Sequence, residues 1–531
     1  MKTDAPLNPI TVEVIGSLFA AVTEEMGEAL IRASVSPNIK ERRDCSTALL
    51  DADGALLAQA EHIPMHLGSF LDFVPEVLKR YSLIDIEPGD VFIGNDPYAG
   101  GGTHLPDIVM VMPIFAESRV VAWAINTAHH ADFADRGHHN IYEEGPRIPP
   151  VRMQRADSVN REFMDFFLLN CQVPDERTSD LAAQMASCQL GVRRVSALCE
   201  KYGTDTVLRV VHALQDYSEL RMRKGISAIP DGVYSFTDSF DTLTFAQALE
   251  ISVRLEVRGD EVLLDFQAPP QVRAGINMIR TALLATVLYA VKSVVDPNVP
   301  PNAGIARAIT VNAPLGSILN CTHPAPVFNR TSLCQRVVDV IHGAFAQAVP
   351  EKLTGACSSS IVIAQFNGVK PTGESWVFMD AIGGGFGARA ERDGIDGVQI
   401  HMTNSSNLPC ESLEREYPLT LVNYALVDGS GGVGRQTGGR GILRAYRAEA
   451  PCQIEVDGSR IGTRPWGLAG GGAGTGFRYS VNGVDFPFAG GVGALEPGDI
   501  IEIVTPGGGG YGAVTAAPES ASAGLSKVTS S

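Results

Sequence analysis

Glycine is the residue that most limits what this chain can become. Of 531 residues 55 are Gly, and they concentrate at 383–387, 429–441, 468–476, 489–493 and 507–512. A glycine in a helix interior costs about 1 kcal/mol relative to alanine, so runs of this density exclude long helices from the last third. They call for short strands with tight corners, as in a β-sandwich or a β-rich layer. Pro497-Gly498-Asp499 ahead of 500–504 is a turn leading into a strand, a device also present at Pro88-Gly89-Asp90 ahead of 91–94. Gly383-Gly384-Gly385-Phe386-Gly387 has the look of a phosphate cradle but lacks the Lys and Ser/Thr of a P-loop. Close backbone approach is the simpler role for it.

The rest of the chain carries ordinary periodicities. Residues 8–35 are expected to form a helix, capped by Asn8, with Pro9 in its first turn and Ile15, Leu18, Phe19, Val22, Met26 and Leu30 on one face. Strands are expected at 47–51 and 55–59 around Ala52-Asp53-Gly54, then at 91–94, 108–115 and 120–127. Residues 157–225 read as helical, 233–267 as alternating strands, and 277–293 and 331–348 again as helices. The expected fold class is mixed α/β (α+β). Its regions are a β-rich metal-bearing part at 1–155, a helical part at 156–230, an α/β middle at 231–380 and a glycine-rich β part at 381–512. A disordered Ala/Ser-rich tail is expected at 513–531.

Composition removes several function classes. Hydrophobic residues make up 45% and charged residues 19%, enough apolar material for a core. The net charge of −18, with no run of Lys and Arg, argues against nucleic acid as a partner. No stretch is long and apolar enough for a transmembrane helix, and the first ten residues lack the apolar segment of a secretory signal. The nine cysteines form no CxxC pair. They are expected to be reduced thiols in a cytoplasmic protein.

The chemical signal lies in the histidines. Seven of eleven fall between residues 62 and 139, namely His62, His66, His104, His129, His130, His138 and His139, among Asp44, Asp96, Asp107, Asp132 and Asp135. Imidazole and carboxylate together suit a transition-metal ion. In Thr103-His104-Leu105-Pro106-Asp107 a stiff turn behind three glycines can bring His104 and Asp107 to one ion. Ala128-His129-His130-Ala131-Asp132 ends an expected strand, where neighbouring side chains face opposite sides, so one of His129 and His130 should reach that ion. Asp44 or Asp96 can add a carboxylate, although Asn95-Asp96-Pro97 is also a turn signal. Such a set with open positions suits catalytic Zn²⁺, Mn²⁺ or Fe²⁺.

Long stretches of the chain resemble the hydantoinase B/oxoprolinase family: 36–69, 88–115 and 126–135, then 263–267, Asn302-Ala303-Gly304 and the glycine-rich third. The resemblance implies His104, Asp107 and His129 as metal ligands, with Asp44 as a fourth. From their places beside that set, Asp44 can act as general base if it is not a ligand, and His130 or Asp132, just past the ligand strand, as a supporting catalytic group that orients it. It implies a heteromer with an A-type subunit that carries the ATP site, and a small cyclic amide (a hydantoin, lactam or oxoproline-like ring) as substrate. The A-type partner would phosphorylate the ring carbonyl, and the metal would lower the pKa of water for attack. A subunit of an ATP-dependent ketone carboxylase, or a non-catalytic structural subunit, is the alternative. No G-x-S-x-G elbow and no Walker A motif offers a different chemistry.

Overall fold

The opening helix begins where Asn8 Oδ1 accepts the amide of Ile10 at 2.9 Å. It runs Pro9–Ala33 (α1), burying Ile15, Phe19, Val22, Met26 and Leu30 along one stripe. A computed structural model describes residues 7–133, 138–156, 158–245, 247–370 and 372–514. Asp135 and the tail from 515 onward lie outside the described residues.

α1 lies on a seven-stranded sheet. Its strands are β1 (Cys45–Asp51), β2 (Leu56–Gln59), β3 (Val91–Gly94), β4 (Asp107–Ala116), β5 (Arg119–His129), β6 (Val151–Arg155) and β7 (Ser158–Val159). Their order is β2-β1-β5-β4-β3-β6-β7, with every pairing antiparallel. The sheet is covered on both faces. Ile108, Met110 and Ala124 face the core that contains α1 and the long helix α2 (Pro174–Tyr202). Val109, Val111, Trp123 and Ile125 face a second cluster with Phe70, Phe73 and Val74. That alternation fixes the register, because a slip of one residue would exchange the two faces.

A third helix, α3 (Thr204–Ile226), leads to a four-stranded sheet of Gly232–Phe240, Leu249–Arg258, Glu261–Gln267 and Ile309–Asn312. Helices α4 (Arg280–Val295) and α5 (Arg330–Phe345) complete this part, and every residue of α5 is buried. One hydrophobic cluster runs from Ile15 to Met402, so the N-terminal, helical and middle regions share a core. Among the described residues no helix is long and apolar enough to cross a membrane, and no disulfide forms.

The last third contains two further antiparallel sheets. Ser375–Ile382, Val362–Val369, Cys452–Asp457 and Val492–Leu495 form one. Leu419–Leu426, Ile442–Ala448, Ile500–Val504, Arg478–Val481 and Val484–Asp485 form the other. Phe366, Phe378, Tyr446, Ile454, Tyr479 and Ile501 meet in their common core. The glycine runs do more than turn corners. They stack backbone against backbone, with Gly432 N–H donating to Gly508 O, Gly508 N–H to Gly439 O, and Gly509 N–H to Ala356 O. The run 383–387 belongs to this stack, and a Cβ on Gly387 would lie 1.7 Å from the carbonyl oxygen of Gly355. Gly387→Ala is therefore expected to destabilise the protein by about 2–3 kcal/mol, the cost of forcing a methyl group into packed backbone. A denaturation midpoint equal to wild type would refute that packing.

Candidate metal centre

Three adjacent strands end at one point. Asp107 opens β4 directly opposite His129, the last residue of β5. On the other side of β5, Cys45 of β1 pairs with Ala128, and His129 N–H donates to the carbonyl of Asp44. Antiparallel register thus gathers Asp44, Asp107 and His129 at one sheet end, and the turn through Pro106 returns His104 to the same place. His104 Nε2 is 2.9 Å from Asp107 Oδ1, and His129 Nδ1 is 3.3 Å from the same oxygen. All three side chains are buried, and their ligand atoms lie within 4.8 Å of one another.

The donor geometry admits a cation. His104 Nδ1 lies 2.9 Å from the carbonyl oxygen of Phe328, which can only accept, so Nδ1 carries the hydrogen. Nε2 is then a bare lone pair facing a carboxylate oxygen, an arrangement of two acceptors that requires a proton or a metal ion between them. His104 Nε2 and His129 Nε2 are both buried without a hydrogen-bond partner. Burial, reinforced by Arg330, pushes His104 down to about 4. Burial also opposes charge on His129, but the nearby carboxylates of Asp107 and Asp132 outweigh it and carry the group up to about 10. The residues present therefore fit a divalent cation with imidazole and carboxylate ligands.

The remaining expected residues separate clearly. Asp44 lines the small cavity in front of the cluster and lies 3.5 Å from His66 Nε2. Asp132 Oδ1 is 3.6 Å from His129 Nε2, where it can orient the ring. His130 is not brought to the cluster: it turns to the opposite face of the sheet, where Nε2 meets Gln184 Oε1 of α2 at 2.9 Å. Burial, with Arg177 nearby, holds it down to about 3. A neutral imidazole tied to a core glutamine does not serve the site. Asp96 is elsewhere too, accepting the amide of Tyr98 and pairing with Arg147 at 2.7 Å.

Sequence reading did not single out His66, Arg330 or Glu144 as parts of the site. His66 stands 3.7 Å from Asp107 Oδ2, and its Nδ1 is hydrogen-bonded with the Ser46 hydroxyl at 2.9 Å. Ser46 Oγ also accepts Ile63 N–H, and His66 Nε2 faces the carboxylates of Asp44 and Asp107. Arg330, at the start of α5, donates to Asp107 Oδ2 at 2.9 Å and to Thr103 Oγ1 through Nε and Nη2. Glu144 Oε1 accepts the amides of Val327 and Phe328, both at 2.8 Å, which fixes the carbonyl that orients His104.

Burial raises Glu144 from 4.5 to about 8, against the two amide bonds that favour its charge. The folded protein therefore binds a proton there that the unfolded chain releases. This contribution to stability is complete below about pH 4.5 and is lost as pH rises through about 8. Glu144→Gln keeps an acceptor for both amides and cannot ionise. The variant is expected to gain on wild type by on the order of a few kcal/mol between pH 5 and pH 9. Parallel pH–stability curves in chemical denaturation would contradict this.

Two cavities adjoin the cluster. The inner one, about 60 Å³, is lined by Asp44, His66, His104, Asp107, His129 and Arg330. It has room for about two waters. A cleft of about 1010 Å³ lies next to it and reaches Asp132. Arg42 and Met379 line both spaces, and Arg42 Nη1 donates to Met379 O at 2.8 Å.

Known proteins share this sequence pattern and fold. The sequence model for hydantoinase B/oxoprolinase matches residues 8–514. An uncharacterized protein of Methanocaldococcus jannaschii is 38% identical over 522 residues, 95% of this chain and 91% of that protein. A protein of Pseudomonas sp. (strain NS671), named as a candidate B-type subunit of a D-/L-hydantoinase, is 31% identical over 95% of this chain and 90% of its own length. The crystal structure of ATP-dependent caprolactamase from Pseudomonas jessenii superposes with a TM-score of 0.85 at 27% identity, covering 96% of this chain and 92% of that one. A nucleotide-free acetone carboxylase shares the fold with a TM-score of 0.85 at 17% identity, covering 95% of this chain and 76% of that one. The chain belongs to the hydantoinase B/oxoprolinase family.

Proposed function

We propose that this chain is the metal-dependent B-type subunit of an ATP-dependent cyclic-amide hydrolase, opening a ring that an A-type partner has activated by phosphorylation. The observation that carries this reading is the buried acceptor pair His104 Nε2 and Asp107 Oδ1, with His129 against the same oxygen. The Pseudomonas relative, named as one subunit of a hydantoinase, supports a heteromer, and the caprolactamase likeness supports a lactam-type ring.

An amide carbonyl is a weak electrophile, and phosphorylating its oxygen removes that protection. Overall, ring amide, ATP and two waters become an amino carboxylate, ADP and phosphate. One water adds to the activated carbon, and the C–N bond breaks as a proton passes to nitrogen. The second water releases phosphate from the acyl phosphate that remains. A divalent ion (Zn²⁺, Mn²⁺ or Fe²⁺) held by His104, Asp107 and His129, with Asp44 as a further ligand or base, supplies Lewis acidity and lowers the pKa of water.

The chain's own residues do the rest. Asp44, in the cavity wall beside His66, takes the proton from the attacking water when it is not a ligand. His66 faces that carboxylate through Nε2, at 3.5 Å. Asp132 steadies His129 from the cleft side. The substrate enters from the larger cleft, and Arg42 and Met379 separate bulk water from the inner cavity.

The test is turnover of hydantoin, oxoproline and caprolactam by the chain reconstituted with an A-type partner and ATP, before and after chelation. Ring opening that needs both ATP and metal supports the proposal. ATP-dependent fixation of bicarbonate onto a ketone, without ring opening, would replace it by the carboxylase reading. Ring opening that survives complete metal removal would leave the metal role structural.

A further inference from the structure

A second group of buried ligands lies away from this centre. Among the described residues, Asp339, Cys357 and His401 place one donor atom each within 4.8 Å of the others, and all three are buried. His401 Nε2 is 3.3 Å from Asp339 Oδ1. Its other ring nitrogen, Nδ1, is buried without a hydrogen-bond partner, on a side chain only 2% exposed. Gly387 N–H points at Cys357 Sγ at 3.4 Å, so the sulfur is used as an acceptor.

We propose that Asp339, Cys357 and His401 form a second metal site, for a thiophilic divalent cation of the Zn²⁺ class. Carboxylate, thiolate and imidazole are the donor types of such sites, and most of the other cysteines sit simply as buried thiols. Outer contacts hold each donor. Arg460 Nη2 binds Asp339 Oδ2 at 2.7 Å, leaving Oδ1 directed at His401. Gln335, one turn before Asp339 on α5, donates to Ile400 O at 2.9 Å and fixes the loop that carries His401. His401 itself has a positive φ of 45°, a strained backbone for a non-glycine residue. The ring of Tyr289 stands 6.0 Å from His401 and also lines a separate cavity of about 740 Å³.

The position gives the site a purpose. Asp339 belongs to the buried helix of the large core. Cys357 follows Ala356, whose amide donates to Trp466 O and whose carbonyl accepts Gly509 N–H in the glycine stack. An ion here ties the helical core to the glycine-rich layer, so its role is structural.

The test uses the full chain with the first centre removed, His104→Ala/His129→Ala, loaded with Zn²⁺ or Co²⁺ and dialysed. One retained equivalent of zinc is expected, with a thiolate-to-cobalt charge-transfer band in the near ultraviolet. Cys357→Ser in that background is expected to lose both, and chelation to lower Tm by a few degrees. A folded double variant that holds no zinc, or a cobalt spectrum without the thiolate band, overturns the proposal. The cobalt spectrum needs no cysteine variant, so it decides the matter even if Cys357→Ser fails to fold. Loss of the first centre reads out separately, as one equivalent fewer than wild type.

Discussion

His104→Ala and His129→Ala are each expected to lower ATP-dependent ring opening by about 10³-fold or more, with far-ultraviolet circular dichroism unchanged. The size follows from the role. Lewis-acid assistance is worth several kcal/mol at the transition state, and each 1.4 kcal/mol is a factor of ten. Both side chains reach Asp107 Oδ1, at 2.9 and 3.3 Å, and their Nε2 atoms have no hydrogen-bond partner. Removing either imidazole leaves too few ligands, not a weaker version of the same site. His130→Ala supplies the contrast, since it loses only the bond to Gln184. It is expected to cost stability and leave the chemical step within a few fold. Wild-type turnover in His104→Ala would leave the protein a structural subunit.

Arg330→Met is expected to destabilise the protein by about 3–5 kcal/mol, the usual cost of breaking a buried ion pair from one side. Arg330 and Asp107 are 5% and 1% exposed, so water cannot replace the guanidinium. The same side chain gives two bonds to Thr103 Oγ1, at 3.0 and 2.8 Å, which tie α5 to the loop carrying His104. The loss should appear as a lower denaturant midpoint with an unchanged slope. Divalent metal should recover part of it, because the ion neutralises the stranded Asp107 carboxylate. A loss below about 1 kcal/mol would mean that the pair does not hold the site.

Much of this site can be read from the sequence, for a definite reason. His104 and Asp107 are three residues apart across a proline turn, and His129-His130 ends a strand whose alternation sends one imidazole each way. The choice of His129 over His130 depends on where β4 begins, which is fixed by the pairing of Asp107 with His129 and leaves no local mark. His66, Glu144 and Arg330 come from other segments, and nothing around them distinguishes a site residue from an ordinary surface charge. Glu144 in particular sits in Glu143-Glu144-Gly145-Pro146, which reads as a solvated turn, yet it is buried beneath the backbone of Val327 and Phe328. The fold shows the same division. Asn8 and Pro9 mark the start of α1 outright. The glycine runs announce corners but not the backbone stacking of Gly387, Gly438 and Gly508, which arises only when three distant segments meet.

The most direct test of the metal centre is anomalous diffraction from crystals of the full chain grown with Zn²⁺ or Mn²⁺. The expected result is a peak at about 2.0–2.2 Å from a nitrogen of His104, a nitrogen of His129 and an oxygen of Asp107. A metal-saturated crystal with no density among these three residues would contradict the account.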